Sequence, residues 1–220
     1  MDNTSKSALV LGSTGLIGNQ LLQVLLSDAY YDKVYAVSRH ELEISNDKLI
    51  TIIADYDNVG ERLADLTFDD IYCCLGTTIK KAGNKEAFKQ IDLDYPLKVA
   101  EQALRQGAKQ YLLISAMGAD KKSTFFYNRV KGEVEEALAN MKYNSIHIFR
   151  PSLLLGDREE KRPGEAAATV MSKLFSFAFV GPLMKYKPIE SVKVARAMLA
   201  SAKEKTHGVH IHESEDLQKY

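Results

Sequence analysis

Six short apolar segments recur along this chain, and stretches of helical periodicity separate several of them. The apolar segments cover residues 8–11, 34–37, 49–54, 70–75, 111–115 and 145–149. Their hydrophobicity is continuous rather than alternating, which is typical of a parallel sheet with helices covering both faces. The order of the segments therefore predicts an α/β fold built on a doubly wound parallel sheet.

The charge balance and the cysteine count narrow the classes of partner and compartment. The chain has 29 Lys and Arg and 29 Asp and Glu, so its formal net charge is zero. A protein that wraps nucleic acid needs a positive excess to displace counterions, so we expect no nucleic-acid partner.

The most apolar stretch, residues 166–183, is interrupted by Lys173, so we expect no stable membrane insertion. Two adjacent cysteines and a polar N-terminus without a signal peptide predict a reduced, cytoplasmic protein.

A glycine-rich turn directly follows the first apolar segment and opens the first helical pattern. Its residues are Gly12, Ser13, Thr14, Gly15, Leu16, Ile17 and Gly18. The three glycines allow a tight turn, close approach of the backbone to a pyrophosphate, and close packing of helix on sheet. A glycine loop of purely structural use is the alternative, but a strand before it and a helix after it favour dinucleotide binding.

The end of the second strand bears on which dinucleotide is bound. An NAD site usually has an acidic residue there, which accepts hydrogen bonds from the ribose hydroxyls. This chain has Ser38 and Arg39 instead, and a hydroxyl and a guanidinium can both bind a 2′-phosphate. We therefore expect NADP(H) to be preferred. NAD(H) as the cofactor, with Arg39 a solvated turn residue, is the alternative.

Two further strand ends supply candidate cofactor contacts. Asp55 follows the third strand, where it either accepts a hydrogen bond from the adenine amino group or caps the following turn. Gly76 and Thr77 follow the fourth strand, where the edge of the sheet is expected to face the cofactor ribose.

Tyr127 and Lys131 are the candidate catalytic pair, and both are also expected to contact the cofactor, Lys131 by holding the nicotinamide ribose hydroxyls. They stand four residues apart on a predicted helix over residues 125–139, so they share one face of it. A phenol has an ordinary pKa of about 10, and a neighbouring ammonium favours its ionised form. Ser115 ends the preceding strand and is expected to hydrogen-bond the substrate oxygen. Such a tyrosine–lysine spacing is common in helices, and the glycine turn and Ser115 are what favour a catalytic role here.

Seven segments of the chain, in this order, carry a more specific signal. They are residues 12–18, 73–78, 118–121, 127–135, 149–151, 157–158 and 162–165. Together they resemble the atypical short-chain dehydrogenases/reductases, and more narrowly the Tat-interactive-protein-type oxidoreductases.

The resemblance implies a Rossmann fold, NADPH binding and a catalytic constellation of Ser115, Tyr127 and Lys131, with no established substrate. It also places further residues beside the cofactor, with the last two next to the nicotinamide carboxamide: Leu75, Arg150, Pro151 and Ser152. Some members of this class are redox-sensing regulators, so the resemblance leaves turnover open.

We interpret residues 1–220 as a single domain. Residues 1–150 form the cofactor-binding core, and residues 151–220 form a small lobe on the substrate side. In that lobe the pattern predicts helices over residues 166–179 and 191–203 and a final strand around residues 209–211.

Three histidines near the C-terminus, His207, His210 and His212, are weighed as metal ligands and set aside. No cysteine or fixed acidic residue accompanies them, so a solvated edge strand is the preferred interpretation and no metal is expected.

Three functions remain open on the sequence. The first is an NADP(H)-dependent oxidoreductase that transfers hydride to or from a small carbonyl or alcohol, with Tyr127 exchanging the proton. The second is an NADPH-binding regulator with little turnover, and the third is an NADPH-dependent flavin or tetrapyrrole reductase. A small-molecule substrate is the expected partner, with a homodimer or a protein partner as alternatives.

Overall fold

The computed structural model describes residues 5–156 and 181–220. Within these residues a seven-stranded, wholly parallel sheet has the strand order β3-β2-β1-β4-β5-β6-β9. The strands are β1 (Ser7–Leu11), β2 (Lys33–Ser38), β3 (Leu49–Ile53), β4 (Asp70–Cys73), β5 (Gln110–Ile114), β6 (Ser145–Arg150) and β9 (Gly208–Glu213). The predicted doubly wound α/β fold is confirmed, and the final strand lies at one edge of the sheet, beside β6.

Helices cover both faces of the sheet, which explains why its central strands are apolar throughout. On one face pack α1 (Leu16–Ser27) and α7 (Ser191–Lys203), around a core that includes Val10 and Phe149. On the other face pack α2 (Val59–Arg62), α5 (Tyr95–Arg105) and α6 (Phe126–Ala139), around a core that includes Leu9. Alternate residues of β1 thus enter opposite cores, as the two-residue period of a strand requires.

The connection between β4 and α5 contains helical turns that the hydrophobic pattern does not predict. It forms α3 (Ile79–Ala82), α4 (Lys85–Lys89) and a π-helical turn over Gln90–Asp94. Thr78 and Asn84 cap α3 and α4 by accepting hydrogen bonds from the backbone N–H groups of Lys81 and Ala87. A π-helical turn is rare and often marks a functional position.

The C-terminal part of the described chain contributes small elements around the strand ends. Two-residue strands β7 (Leu154–Leu155) and β8 (Ile189–Glu190) pair in parallel, a 3₁₀ helix covers Gly181–Tyr186, and α8 (Ser214–Leu217) follows β9. The helix predicted over residues 166–179, and the segments 157–158 and 162–165 of the resemblance, lie outside the described residues. No helix in the described part of the chain is both long and apolar enough to span a membrane.

Histidines join the edge strand to its neighbour. His147 on β6 is fully buried, and its Nδ1 lies 3.0 Å from Nε2 of His212 on β9, while His210 stacks on the same ring. Burial and the neighbouring imidazoles lower the pKa of His147 to about 4. The edge strand is therefore only partly solvated, because its histidines on the α7 face contact the buried His147. Within residues 5–156 and 181–220, no group of three or more His, Cys, Asp or Glu is placed to hold a metal ion.

His147 makes stability depend on pH in a predictable direction. Its pKa of about 4 in the folded protein lies below the ordinary value of 6.5, so protonation favours the unfolded chain. The free energy of unfolding should therefore fall as the pH drops from 6.5 towards 4, by at most about 3 kcal/mol from this residue. Urea denaturation across this range should show a flatter pH profile for His147→Asn, whereas the exposed-residue variant His207→Asn should follow the wild type. Parallel profiles for all three proteins would contradict the assignment.

Candidate functional site

The glycine turn lies between the carboxyl ends of β1 and β4, where the strand order reverses direction. Gly12 has a φ of +73°, and a Cβ atom there would lie 2.7 Å from the carbonyl oxygen of Cys74. A Cβ on Gly18 would lie 2.1 Å from the carbonyl oxygen of Gly12. Both positions therefore require glycine, one for its backbone conformation and both for the close approach of strand, turn and helix.

The first turn of α1 is open to an anion. Its N-cap is Gly15, no side chain caps it, and no acidic residue lies in the first turn, so among the residues that the structure describes no carboxylate of this helix end competes for its N–H groups. Ser13 is turned inward and donates to the carbonyl of Val37, and Tyr56 accepts a hydrogen bond from the Gly12 N–H. The turn thus fits the pyrophosphate of a dinucleotide.

A cleft of about 330 Å³ opens at the carboxyl ends of β2 and β3. Its lining includes Arg39, Asp55 and Arg62. Asp55 Oδ1 accepts hydrogen bonds from the backbone N–H groups of Asp57 and Asn58, at 3.1 and 2.9 Å, so it caps this turn. The contact of Asp55 with adenine stays a prediction. Ser38 Oγ accepts from the His40 N–H at 3.3 Å, which leaves the hydroxyl proton of Ser38 available to a ligand.

The end of β4 is connected to Lys131 through an acidic residue. Leu75 is buried, Gly76 is exposed, and the N–H of Thr77 donates to Asp92 Oδ2 at 2.9 Å. Asp92 Oδ1 lies 2.8 Å from Lys131 Nζ, and the two side chains are 0% and 4% exposed.

Lys131 is a charged residue in an almost fully buried position. Burial favours the neutral amine, but the charge of Asp92, the proximity of Tyr127 and the hydrogen bond to Asp92 outweigh it, so the pKa of Lys131 lies above its ordinary value. A Cβ on Gly76 would lie 3.7 Å from Asp92 Oδ1 and 3.8 Å from Lys131 Nζ, so Gly76 lies directly beside the ion pair. Tyr127 lies one turn earlier on α6, packs against Phe88 and is 37% exposed.

Ser115 follows β5 and contacts an acidic residue of α6, Glu135. Its Oγ donates to Glu135 Oε1 at 2.5 Å, and both residues are buried. The Arg150 guanidinium forms a bidentate pair with the same carboxylate and a further ion pair with Glu213. These partners raise the pKa of Arg150 above its ordinary value, so it is charged throughout.

The residues after β6 are turned toward protein partners. Ser152 Oγ donates to the carbonyl of Lys187 at 2.5 Å, and the carbonyl of Pro151 accepts from the N–H of Met117. The structure therefore assigns structural contacts to Arg150, Pro151 and Ser152. Their predicted contacts with the cofactor stay predictions.

Three residues of this region are missing from the sequence-based set. Glu135 continues the helical face of Tyr127 and Lys131 by one turn, so the spacing i, i+4, i+8 is a signal that points to it. Arg62 lies in the same cleft as Arg39 only because the turn that Asp55 caps brings it there. Asp92 lies in the π-helical turn, and no pattern in the sequence connects it with Lys131.

The strand order and the glycine turn define a protein of the Rossmann class, in which ligands bind at the carboxyl ends of the strands. The model of the NAD dependent epimerase/dehydratase family matches residues 8–211, and the chain belongs to this family. Protein HTATIP2 of Rattus norvegicus is 39% identical over 165 residues, which are 73% of this chain and 68% of that protein. The resemblance stated from the sequence is thereby confirmed.

Two further proteins extend the comparison. The mitochondrial protein FMP52 of Lodderomyces elongisporus is 32% identical over 206 residues, covering 87% of this chain and 84% of that protein. The Bordetella bronchiseptica enzyme WbmH, solved in complex with NAD+, superposes with a TM-score of 0.72 at 16% identity, over 96% of this chain and 76% of that one. This second likeness is one of fold.

The Asp92–Lys131 pair gives a test of the site that needs no ligand. Asp92→Ala leaves a buried ammonium without its counter-charge, and we expect it to lower the free energy of unfolding by about 3–5 kcal/mol. The double variant Asp92→Leu/Lys131→Met removes both charges. It should be less destabilising than the sum of the losses measured for Asp92→Leu alone and Lys131→Met alone. Asp94→Ala, at an exposed position of the same π-helical turn, is the control and should cost less than about 0.5 kcal/mol. Additive losses in chemical denaturation would contradict the buried pair.

Proposed function

We propose that this protein is an NADP(H)-dependent oxidoreductase that transfers hydride to or from a small carbonyl or alcohol. The observation that carries the proposal is the position of Lys131, buried beside Gly76 at the carboxyl edge of the sheet and sharing a helix face with Tyr127. The family match and the glycine turn support the same proposal.

Several residues of the chain suit a bound dinucleotide. The N–H groups at the start of α1 would hold its pyrophosphate, and the glycines of the turn would let the backbone approach it. Lys131 would hold the ribose hydroxyls on the nicotinamide side, next to Gly76. When bound, the nicotinamide supplies or accepts the hydride.

The cleft at β2 and β3 supports a preference for a 2′-phosphate. Two guanidinium groups, Arg39 and Arg62, line it against the single carboxylate of Asp55, so the local charge favours an anion. The hydroxyl proton of Ser38, for which the described residues provide no acceptor, adds a donor. The FMP52 and WbmH matches do not bear on this preference, which rests on these side chains.

Tyr127 would exchange the proton with the substrate oxygen. The charge of Lys131 favours the phenolate, but Asp92 offsets part of that charge at 2.8 Å, so Lys131 alone is a weaker activator than an unpaired ammonium. During alcohol oxidation, the positive charge of a bound oxidised nicotinamide would therefore help Lys131 to stabilise the phenolate of Tyr127.

Replacing the proposed proton donor should separate chemistry from cofactor binding. We expect Tyr127→Phe to lower the rate of NADPH oxidation at least about 100-fold, across a panel of aldehydes, ketones and quinones, with NADPH affinity within about twofold of the wild type. Tyr220→Phe is the matched control, because Tyr220 is 38% exposed, much as Tyr127 is, and follows α8 in the chain. Tight NADPH binding without oxidation of any compound would favour the regulator, and activity that survives Tyr127→Phe would favour a flavin or tetrapyrrole reductase.

The cofactor preference is testable by titration alone. NADPH should bind more tightly than NADH, and Arg39→Ala should weaken NADPH binding about tenfold while leaving NADH nearly unchanged, because a charged hydrogen bond to the 2′-phosphate is lost. Arg62→Ala should act in the same direction. Arg105→Ala removes an exposed arginine of α5 that pairs with Glu101 and should change neither affinity. An equal loss for both cofactors would overturn the assignment of Arg39.

The location and the partners of the protein belong to the same proposal. We propose a small-molecule substrate and, from the composition, a cytoplasmic, reducing compartment, whereas the matched FMP52 protein is named as mitochondrial. Fractionation of cells that express the protein distinguishes these two compartments.

A further inference from the structure

The hydroxyl of Ser115 has its one proton committed inside the protein. Ser115 Oγ donates to Glu135 Oε1 at 2.5 Å, and the two residues are 4% and 6% exposed. A serine hydroxyl carries a single proton and two lone pairs. While this hydrogen bond persists, Ser115 can offer a ligand only lone pairs.

Glu135 is held in its role as acceptor by Arg150. The guanidinium donates from Nε to Oε1 at 3.0 Å and from Nη2 to Oε2 at 2.5 Å, and its Nη1 is 3.0 Å from Glu213 Oε1. Such a bidentate pair fixes the plane of the carboxylate as well as its position. The carboxylate therefore cannot turn away from Ser115 without breaking two charged hydrogen bonds.

Lys131 does not compete for this carboxylate. Lys131 and Glu135 stand one turn apart on α6, a spacing at which such residues often pair, yet Lys131 Nζ pairs with Asp92. Asp92 thus pairs with Lys131, and Glu135 accepts the hydrogen bond from Ser115.

We propose that Glu135 is a positioning residue that makes Ser115 a hydrogen-bond acceptor toward the substrate, so that the site selects substrates with a hydroxyl next to the reacting carbon. The inference rests on the proposed function and on the prediction from the sequence that Ser115 hydrogen-bonds the substrate. A carbonyl oxygen has no proton to donate to the lone pairs of Ser115, whereas a hydroxyl on the neighbouring carbon can donate to them.

The proton balance explains why a second oxygen is needed. In carbonyl reduction the substrate carbon gains the hydride of the reduced nicotinamide, its oxygen gains the proton of Tyr127, and Tyr127 is left as phenolate. Ser115 and Glu135 gain and lose no proton. Since the proton of the reacting oxygen belongs to the exchange with Tyr127, the donor to Ser115 must be another group, and the α-hydroxy ketones and vicinal diols have one.

Two ketones with the same skeleton test this assignment. 2-Hydroxy-1-phenylethanone has the neighbouring hydroxyl, and 2-methoxy-1-phenylethanone keeps the oxygen but has no proton to donate. We expect the wild type to favour the hydroxy ketone about tenfold in kcat/KM with NADPH. Calorimetry on the NADP+ complex, in which the ketones are not reduced, should show the same preference in Kd.

The variants separate positioning from a structural role, because each preference is a ratio measured within one protein. Glu135→Leu removes the acceptor and should bring the ratio to about one, whereas Glu135→Gln keeps an acceptor oxygen and should preserve it. Glu136→Leu is the matched control, an exposed carboxylate of the next residue that pairs with Lys121, and it should leave the ratio unchanged. Ser115→Ala should also bring the ratio to about one, and it tests the proposal independently of whether Glu135→Leu folds.

The failure of this inference differs from a failure of the proposed function. A protein that does not bind NADP+ in the calorimeter contradicts the proposed function and the inference with it. NADP+ binding with equal affinity for the two ketones, or a preference that survives both Glu135→Leu and Ser115→Ala, overturns the inference alone.

Discussion

The buried ion pair of Lys131 and Asp92 is the contact on which the geometry of the site depends. It connects the π-helical turn to α6, and through the Thr77 N–H it also connects both to the end of β4. Removing two charges from water is costly, and their attraction repays the cost only when the geometry is good and the remaining polar atoms are satisfied. The pair therefore limits how far α6 can rotate or slide relative to the sheet.

A fixed α6 places the other polar residues of its inner face. Tyr127 lies one turn before Lys131 and Glu135 one turn after it, so one helix supplies a phenol, an ammonium and a carboxylate to the same edge of the sheet. Their partners come from different segments: Asp92 from the π-helical turn, Ser115 from the residue directly after β5 and Arg150 from β6. The polar network is assembled from the carboxyl ends of neighbouring parallel strands, where this fold class binds its ligands.

The sequence predicts well what depends on short stretches of chain. Continuous apolar segments identify the strands to within a residue or two, and the glycine spacing identifies a turn whose Gly12 and Gly18 leave no room for a Cβ. It predicts poorly what depends on contacts between distant segments. Asp92 is 39 positions from Lys131 and lies in a π-helical turn that has no hydrophobic signature, so its role appears only in the structure. In the sequence, His147 likewise has the pattern of an ordinary strand residue. Its contact with His212 depends on β9 lying beside β6, which only the structure shows.

The same distinction explains Ser115, whose type and position suggest a donor to the substrate, while the direction of its hydroxyl depends on Glu135 and Arg150. The segment between Ser115 and Tyr127 is tied to α6 rather than free to adjust. A Cβ on Gly132 would lie 2.1 Å from the backbone nitrogen of Lys121, so only glycine lets this segment pack so closely on the helix. The N–H of Asp120 donates to the carbonyl of Asn128, and Arg129 donates to the carbonyl of Ser123. These contacts anchor the middle of the segment to the helix that holds Glu135, so the backbone that follows Ser115 is fixed relative to that helix.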